Sequence, residues 1–275
     1  MSALGQGYPR KLIEFFGSNQ IKDLGIFPEI FYMVKMKKYV ISDFRLPKKA
    51  QETLEALSFS VIKLPPFERL ANPVASHPDM LLFFGDKIIC HRDYYAANTH
   101  LMNKISQLSS LPLSLSDEEI DSRYPNDVLF NALPLGKYVF CKESSVSRLI
   151  KAYVERKAFT AVNTRQGYAR CSVCKISESA VISSDASLLA AIAEKGIDTL
   201  CISEGGVRLE PYDHGFIGGA SGAFGDDVFF CGNIELHPDA ERIKDFCKKH
   251  KKNAVSLSDE ELFDVGTLFF FESSK

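Results

Sequence analysis

Tyr39-Val40-Ile41-Ser42-Asp43 reads as an apolar strand that ends on a carboxylate, and the chain writes this phrase five times. The other copies run from Ile88 to Asp93, Tyr138 to Glu143, Ala180 to Asp185 and Val228 to Glu235. Their acidic ends fall at 43, 93, 143, 185 and 235, so the spacings are 50, 50, 42 and 50 residues. A period of that size marks a modular fold in which each unit buries its apolar face against the next. Around each copy the order is the same: a first apolar strand, the strand just quoted, an amphipathic helix and a third strand.

Local chemistry agrees with this plan. Asp185 precedes the run Ala186 to Ile192 as a helix N-cap, and Leu188, Leu189, Ile192 and Ala193 share one helical face. Gly196 is a suitable left-handed stop, and Ile197 to Ile202 reads as the returning strand. In the first unit Pro47 sits at a helix start and Ser58 to Leu64 is the returning strand.

A tighter repeat bears on closure. Ser114-Leu115-Ser116-Asp117-Glu118-Glu119 recurs letter for letter as Ser256-Leu257-Ser258-Asp259-Glu260-Glu261, 142 positions later. Each copy carries a strand end into a capping signal, Ser followed three residues on by Glu. After the first copy, Asp127 to Ala132 reads as the strand that opens the third unit. Gly266 to Phe271 holds the same place after the second copy, and no sixth unit follows it. That strand is therefore expected to return to the first unit and close a ring, which hides an apolar edge.

The expected fold is α/β, a five-bladed propeller of strand–strand–helix–strand units in a single domain over 1–275. The units fall at about 28–66, 77–116, 124–163, 168–203 and 214–258, with an N-terminal extension over 1–27 and a closing strand over 266–272.

Composition sets bounds on function. The chain has 275 residues, 45% of them hydrophobic and 25% charged, with a net charge of −2, so no electrostatic footprint for nucleic acid is present. The one basic run, Lys248-Lys249-His250-Lys251-Lys252, reads as a solvated helix end. No apolar run approaches the length of a membrane span, and Met1 to Gly17 lacks the apolar core of a secretory signal. Seven scattered cysteines, three of them inside apolar strands, fit a reduced, cytoplasmic compartment. Cys171 and Cys174 form a CxxC pair in a predicted strand, Arg170 to Ile176, where they would point to opposite faces. No second pair completes a zinc set, so neither a metal nor a cofactor is expected.

The five units and the terminal strand resemble the pentein, or guanidino-group-modifying, superfamily, which includes arginine and agmatine deiminases, amidinotransferases and dimethylarginine dimethylaminohydrolases. Tyr124-Pro125-Asn126-Asp127-Val128-Leu129-Phe130 is similar to the third-unit segment of these enzymes. Tyr168 to Val173 is similar to the segment that begins with their catalytic histidine, and Val265 to Phe269 to the strand that carries their nucleophilic cysteine. On this alignment Tyr124 stands at the acidic position, Tyr168 at the histidine position and Phe269 at the cysteine position. None of these can supply a thiolate nucleophile or a histidine base. The resemblance therefore implies a divergent member without the family's cysteine chemistry. The superfamily also contains a non-enzymatic ring protein, the ribosome anti-association factor.

Polar residues gather where units begin. His77 and Asp79 lie at the second entrance, and Tyr124, Asn126 and Asp127 at the third. Gln166, Tyr168 and Arg170 lie at the fourth, and at the fifth His214 precedes the glycine-rich Gly215 to Gly222, which contains Ser221. Converging on one funnel, these residues would bind a small polar molecule, with Asp79 and Asp127 suited to a guanidinium or ammonium group. His77 and Asp79, two apart on a strand, would face the same side as an acid–base pair. The glycines suit close backbone packing, or a pocket lined by N–H groups together with Ser221. Two alternatives stand beside this binding ring. One is a hydrolase or deiminase with a relocated nucleophile, Cys171, and His77 or His214 as base. The other is a non-catalytic interaction protein.

Overall fold

The structure is a computed structural model, and it describes residues 36–274. The N-terminal extension, the absence of a secretory signal and the first strand of the first unit all fall outside these residues. No helix among the described residues is long and apolar enough to cross a membrane.

Five separate three-stranded sheets carry the chain, with one two-stranded ribbon, Val207–Arg208 beside Leu262–Phe263. Each three-stranded sheet has one of the five repeated segments as its middle strand: Lys37–Asp43, Ile88–His91, Tyr138–Cys141, Ala180–Ser183 and Asp227–Phe230. In the second to fifth sheets the middle strand pairs antiparallel with the strand before it and parallel with the strand after it. The parallel partner requires a crossover, and a helix supplies it each time. In the first sheet the outer strand comes from the far end of the chain: Phe269–Ser273 lies beside Lys37–Asp43, whose other neighbour is Phe59–Leu64.

Helices fill the seams between sheets. Ala50 and Leu54 of the helix Lys48–Ala56 are fully buried, in a cluster with Val40 of the first sheet, Phe229 of the fifth and Cys231 just after it. Leu188, Leu189 and Ile192 of Ala186–Ala193 pack with Phe140 of the third sheet and Val181 of the fourth. Ile243, Phe246 and Cys247 of Ala240–Lys249 pack with Ile182 and Phe230. On the helix Arg148–Arg156, Tyr153 meets Phe83 of the second sheet edge-on, with ring centroids 5.1 Å apart. Each fully buried Leu or Ile in these seams contributes about 1.5–3 kcal/mol.

Several local expectations hold. Asp185 caps its helix, accepting from Leu188 N at 2.9 Å, and Gly196 closes it at φ +77°. Others are corrected. Asp127 to Ala132 is not a strand: Asn126–Val128 is a 3-10 turn, and the strand begins only at Leu133. Arg170 to Ile176 is not one strand either, because Ala169–Ser172 is a helical turn and the strand starts at Cys174. The capping signal at Ser116 starts no helix of its own. Glu118 reaches instead to Arg148 N, at 2.9 Å, and to Ser147 Oγ, placing its carboxylate at the positive end of the next unit's helix.

Candidate functional site

Four segments meet by main-chain hydrogen bonds, His77–Leu81, Ala169–Ser172, Gly215–Gly219 and Asp264–Thr267, and a fifth, Phe130–Asn131, joins them through the Asn131 side chain. Asp79 N donates to Gly266 O at 3.1 Å, Gly219 N to Cys171 O at 2.8 Å, and Thr267 N to Gly219 O at 2.9 Å. Asn131 ties three of them together. Its Nδ2 donates to Cys171 Sγ at 2.8 Å and to Asp79 O at 3.2 Å, while its Oδ1 accepts from Arg170 N at 2.7 Å.

The glycine-rich stretch makes this convergence possible through close packing. A Cβ on Gly219 would lie 2.0 Å from Asp264 Oδ1, and one on Gly218 would lie 2.4 Å from the carbonyls of Cys171 and Val173. Only a residue without a side chain lets backbone approach a carboxylate this closely.

At the centre lies a buried acidic cluster. His77, 1% exposed, has Nε2 3.7 Å from Asp43 Oδ2 and Nδ1 3.7 Å from Asp264 Oδ1. Neither ring nitrogen has a hydrogen-bond partner among the described residues. Asp43 is held by Arg45 in a fork, with Nε to Oδ1 at 3.0 Å and Nη2 to Oδ2 at 2.6 Å. Asp264 accepts from Phe216 N at 2.8 Å and Gly266 N at 2.9 Å. Asp79 accepts from Thr267 Oγ1 at 2.7 Å, and its other carboxylate oxygen has no partner among the described residues.

Burial governs the proton equilibria here. It pushes His77 below its ordinary value, against the opposing pull of Asp264 and Asp43. It pushes Asp79 and Asp264 above the usual carboxylate range, opposed at Asp79 chiefly by the Thr267 hydroxyl and at Asp264 chiefly by His77. The Cys171 thiol is pushed well up by burial and then by the charges of Asp79 and Asp264. No set of three or more metal-ligating side chains stands close enough to hold an ion among the described residues.

A cavity of about 320 Å³ opens on this cluster. His77, Asp264 and Cys171 line it, with Met80, Tyr168, Phe216, Tyr212, Asp213 and His214 around them. Tyr168 donates to Asp127 Oδ2 at 2.5 Å, and burial of Asp127 raises that carboxyl.

The structure thus divides the residues singled out in the sequence. His77, Tyr168, Cys171 and His214 line the cavity, with the Asp79 carboxylate acting on Cys171 and Asp127 reached through Tyr168. His77 and Asp79 are not a strand pair: His77 precedes the four-residue helix Pro78–Leu81, and its carboxylate neighbours are Asp43 and Asp264. Tyr124 is exposed, its ring 5.6 Å from that of Tyr168. Asn126 donates to Asp121 on the surface at 3.0 Å. Gln166 accepts from Tyr168 N at 3.2 Å, a turn contact. Ser221 is buried, donating to Gly218 O at 3.4 Å. Phe269 stacks on Phe84 and, like Arg170, lines a different cavity. Just before the last strand, Thr267 reaches the Asp79 carboxylate with its side chain.

Sequence reading did not single out Asp264, Asn131 or Thr267. Asp264 carried one signal, an aspartate two residues before a glycine, which fits the turn in which Asp264 accepts from Gly266 N.

The chain belongs to a family of unknown function, DUF6873, whose model matches residues 41–269. No curated protein matches it in sequence. Among solved structures it is similar to a dimethylarginine dimethylaminohydrolase from Pseudomonas aeruginosa, a cysteine-to-serine mutant complexed with citrulline. The TM-score is 0.52 at 11% identity, covering 82% of this chain and 93% of that one. It is also similar to an amidinotransferase from Microseira wollei in the saxitoxin biosynthetic pathway, with a TM-score of 0.51 at 11% identity, covering 85% of this chain and 79% of that one. The fold is that of the pentein superfamily.

Proposed function

We propose that this chain is a divergent pentein that binds a small cationic molecule, a guanidinium or ammonium of amino-acid size, in the acidic cavity, without cysteine-dependent chemistry. In this reading the five sheets are the blades of a propeller and the cavity lies at its axis. The observation that carries it is His77: a buried imidazole lining a cavity, flanked by Asp43 and Asp264, whose two nitrogens have no hydrogen-bond partner among the described residues. Buried polar atoms rarely stay unpartnered, and a ligand N–H is the partner this site lacks. The charge balance favours a cation. Asp264 and Asp213 line the cavity, Asp79 adds its charge near Asp264, and Arg45 is locked on Asp43. Tyr168, Tyr212 and Phe216 offer flat faces for a planar cation.

The relocated-nucleophile reading has one observation in its favour, that Cys171 lines the cavity. A nucleophilic thiol needs a lowered pKa, and that of Cys171 is raised. Arginine, agmatine, citrulline and methylated arginines are the probes to assay for binding and turnover, citrulline because the Pseudomonas enzyme was captured with it. The expected result is saturable binding without turnover, weakened about tenfold or more by Asp264→Asn, as loss of a charge-assisted contact implies. Turnover that vanishes in Cys171→Ala would overturn the proposal.

A further inference from the structure

A second cavity of about 440 Å³ has the opposite charge. Arg170, Lys175 and Lys252 line it against a single carboxylate, Glu178. That carboxylate is already engaged, pairing with Lys175 Nζ and accepting from Gly136 N at 2.7 Å. Lys252 Nζ donates to Gly225 O at 2.5 Å and lies 4.0 Å from the exposed Asp226 carboxylate. Arg170 is half-buried, and among the described residues no carboxylate lies in salt-bridge range of it. Among the described residues its guanidinium makes one hydrogen bond, from Nη1 to Val173 O at 3.1 Å, and lies 5.6 Å from the centre of the Phe269 ring. A guanidinium is a planar fork of donors suited to carboxylate or phosphate, and here most of the fork is unused.

The rest of the wall is flat and apolar. Phe269 stacks on Phe84, with centroids 5.4 Å apart and planes 13° from parallel, and Phe270, Phe224 and Leu268 continue the surface. The volume lies within the range of small-molecule sites, and an apolar wall with a few convergent charged groups is their usual composition.

We infer that this cavity is a second binding site, for an oxyanion, carboxylate or phosphate, attached to a flat apolar body. The oxyanion is held by Arg170 with Lys252 and Lys175 around it, and the body lies on the phenylalanine wall. The inference is independent of what the acidic cavity binds.

The test is calorimetric titration of the full chain with benzoate, phenyl phosphate, inorganic phosphate and the neutral isostere benzamide. Benzoate or phenyl phosphate is expected to saturate one site below about 5 mM, and benzamide not to. Whichever of the two saturates names the head group. Arg170→Gln is expected to weaken binding about tenfold, and Lys252→Glu severalfold, with unchanged circular dichroism. Lys252→Glu keeps the test decisive if Arg170→Gln does not fold. No saturation by either aromatic anion, or curves unchanged in Lys252→Glu and in a folded Arg170→Gln, would overturn the inference. Inorganic phosphate binding as tightly as phenyl phosphate would overturn the role of the flat wall.

Discussion

Arg170 and Cys171 are neighbours in the chain, on the turn Ala169–Ser172, yet they line different cavities of opposite charge. The two sites are built differently. In the acidic one the charged atoms sit on short, fully buried side chains fixed by backbone: Asp264 by Phe216 N and Gly266 N, and Asp79 by Thr267. In the basic one they sit on long side chains beside hairpin turns, at Lys175, Glu178 and Lys252. Buried, immobile charge is costly to hold and costly to disturb, whereas partly solvated charge is neither. The acidic site should therefore bear on stability as well as ligand binding, and Lys252 of the basic site on binding alone.

The largest expected effect is at Asp264. Removing its carboxylate leaves two buried N–H groups unpaired, so Asp264→Ala should lose about 2–5 kcal/mol by chemical denaturation. A shift as small as that of a surface substitution would break the contrast. Gly219→Ala should also destabilise strongly, because the new methyl would have to displace the Asp264 carboxylate.

Smaller effects come from pH. His77 has a lowered pKa, so below the ordinary value of 6.5 the unfolded chain binds a proton that the native one does not. Stability should therefore fall as pH drops from 6.5 toward the native value, by at most about 1.4 kcal/mol per pH unit, and His77→Gln should flatten that slope in urea midpoints measured between about pH 7 and 5. Asp79 has the opposite sign. Its raised pKa means the native state binds more protons above 3.8, so its contribution declines as pH rises through that window. Asp79→Asn should then leave stability at neutral pH unchanged or raise it by about 1 kcal/mol, while weakening any cation bound nearby. The smallest effect belongs to the basic site: Lys252→Ala should fall within about 0.5 kcal/mol of the parent.

How much of this was legible differs between the framework and the site. The five middle strands and the helix at Asp185 follow from apolar periodicity over stretches long enough to carry it. The helical turns Pro78–Leu81 and Ala169–Ser172 do not, since four residues hold too little pattern. Their shape is set by distant partners, as where Asn131 accepts from Arg170 N. His77 stands out in the sequence as a polar residue at an entrance, and in the structure it lines a cavity, but its neighbours are not legible in the sequence. Asp43 and Asp264 lie at opposite ends of the described chain, and only the packing of the last strand beside the first sheet brings both to the imidazole.

The most direct test of the acidic-site account is the imidazole of His77 itself, followed by nitrogen NMR in the full chain and assigned by the loss of its signal in His77→Gln. The account predicts a neutral ring at pH 6.5 whose nitrogen shifts move on saturation with agmatine and stay fixed on saturation with benzoate. A ring already protonated at that pH, or one that agmatine leaves untouched at saturation, would contradict it.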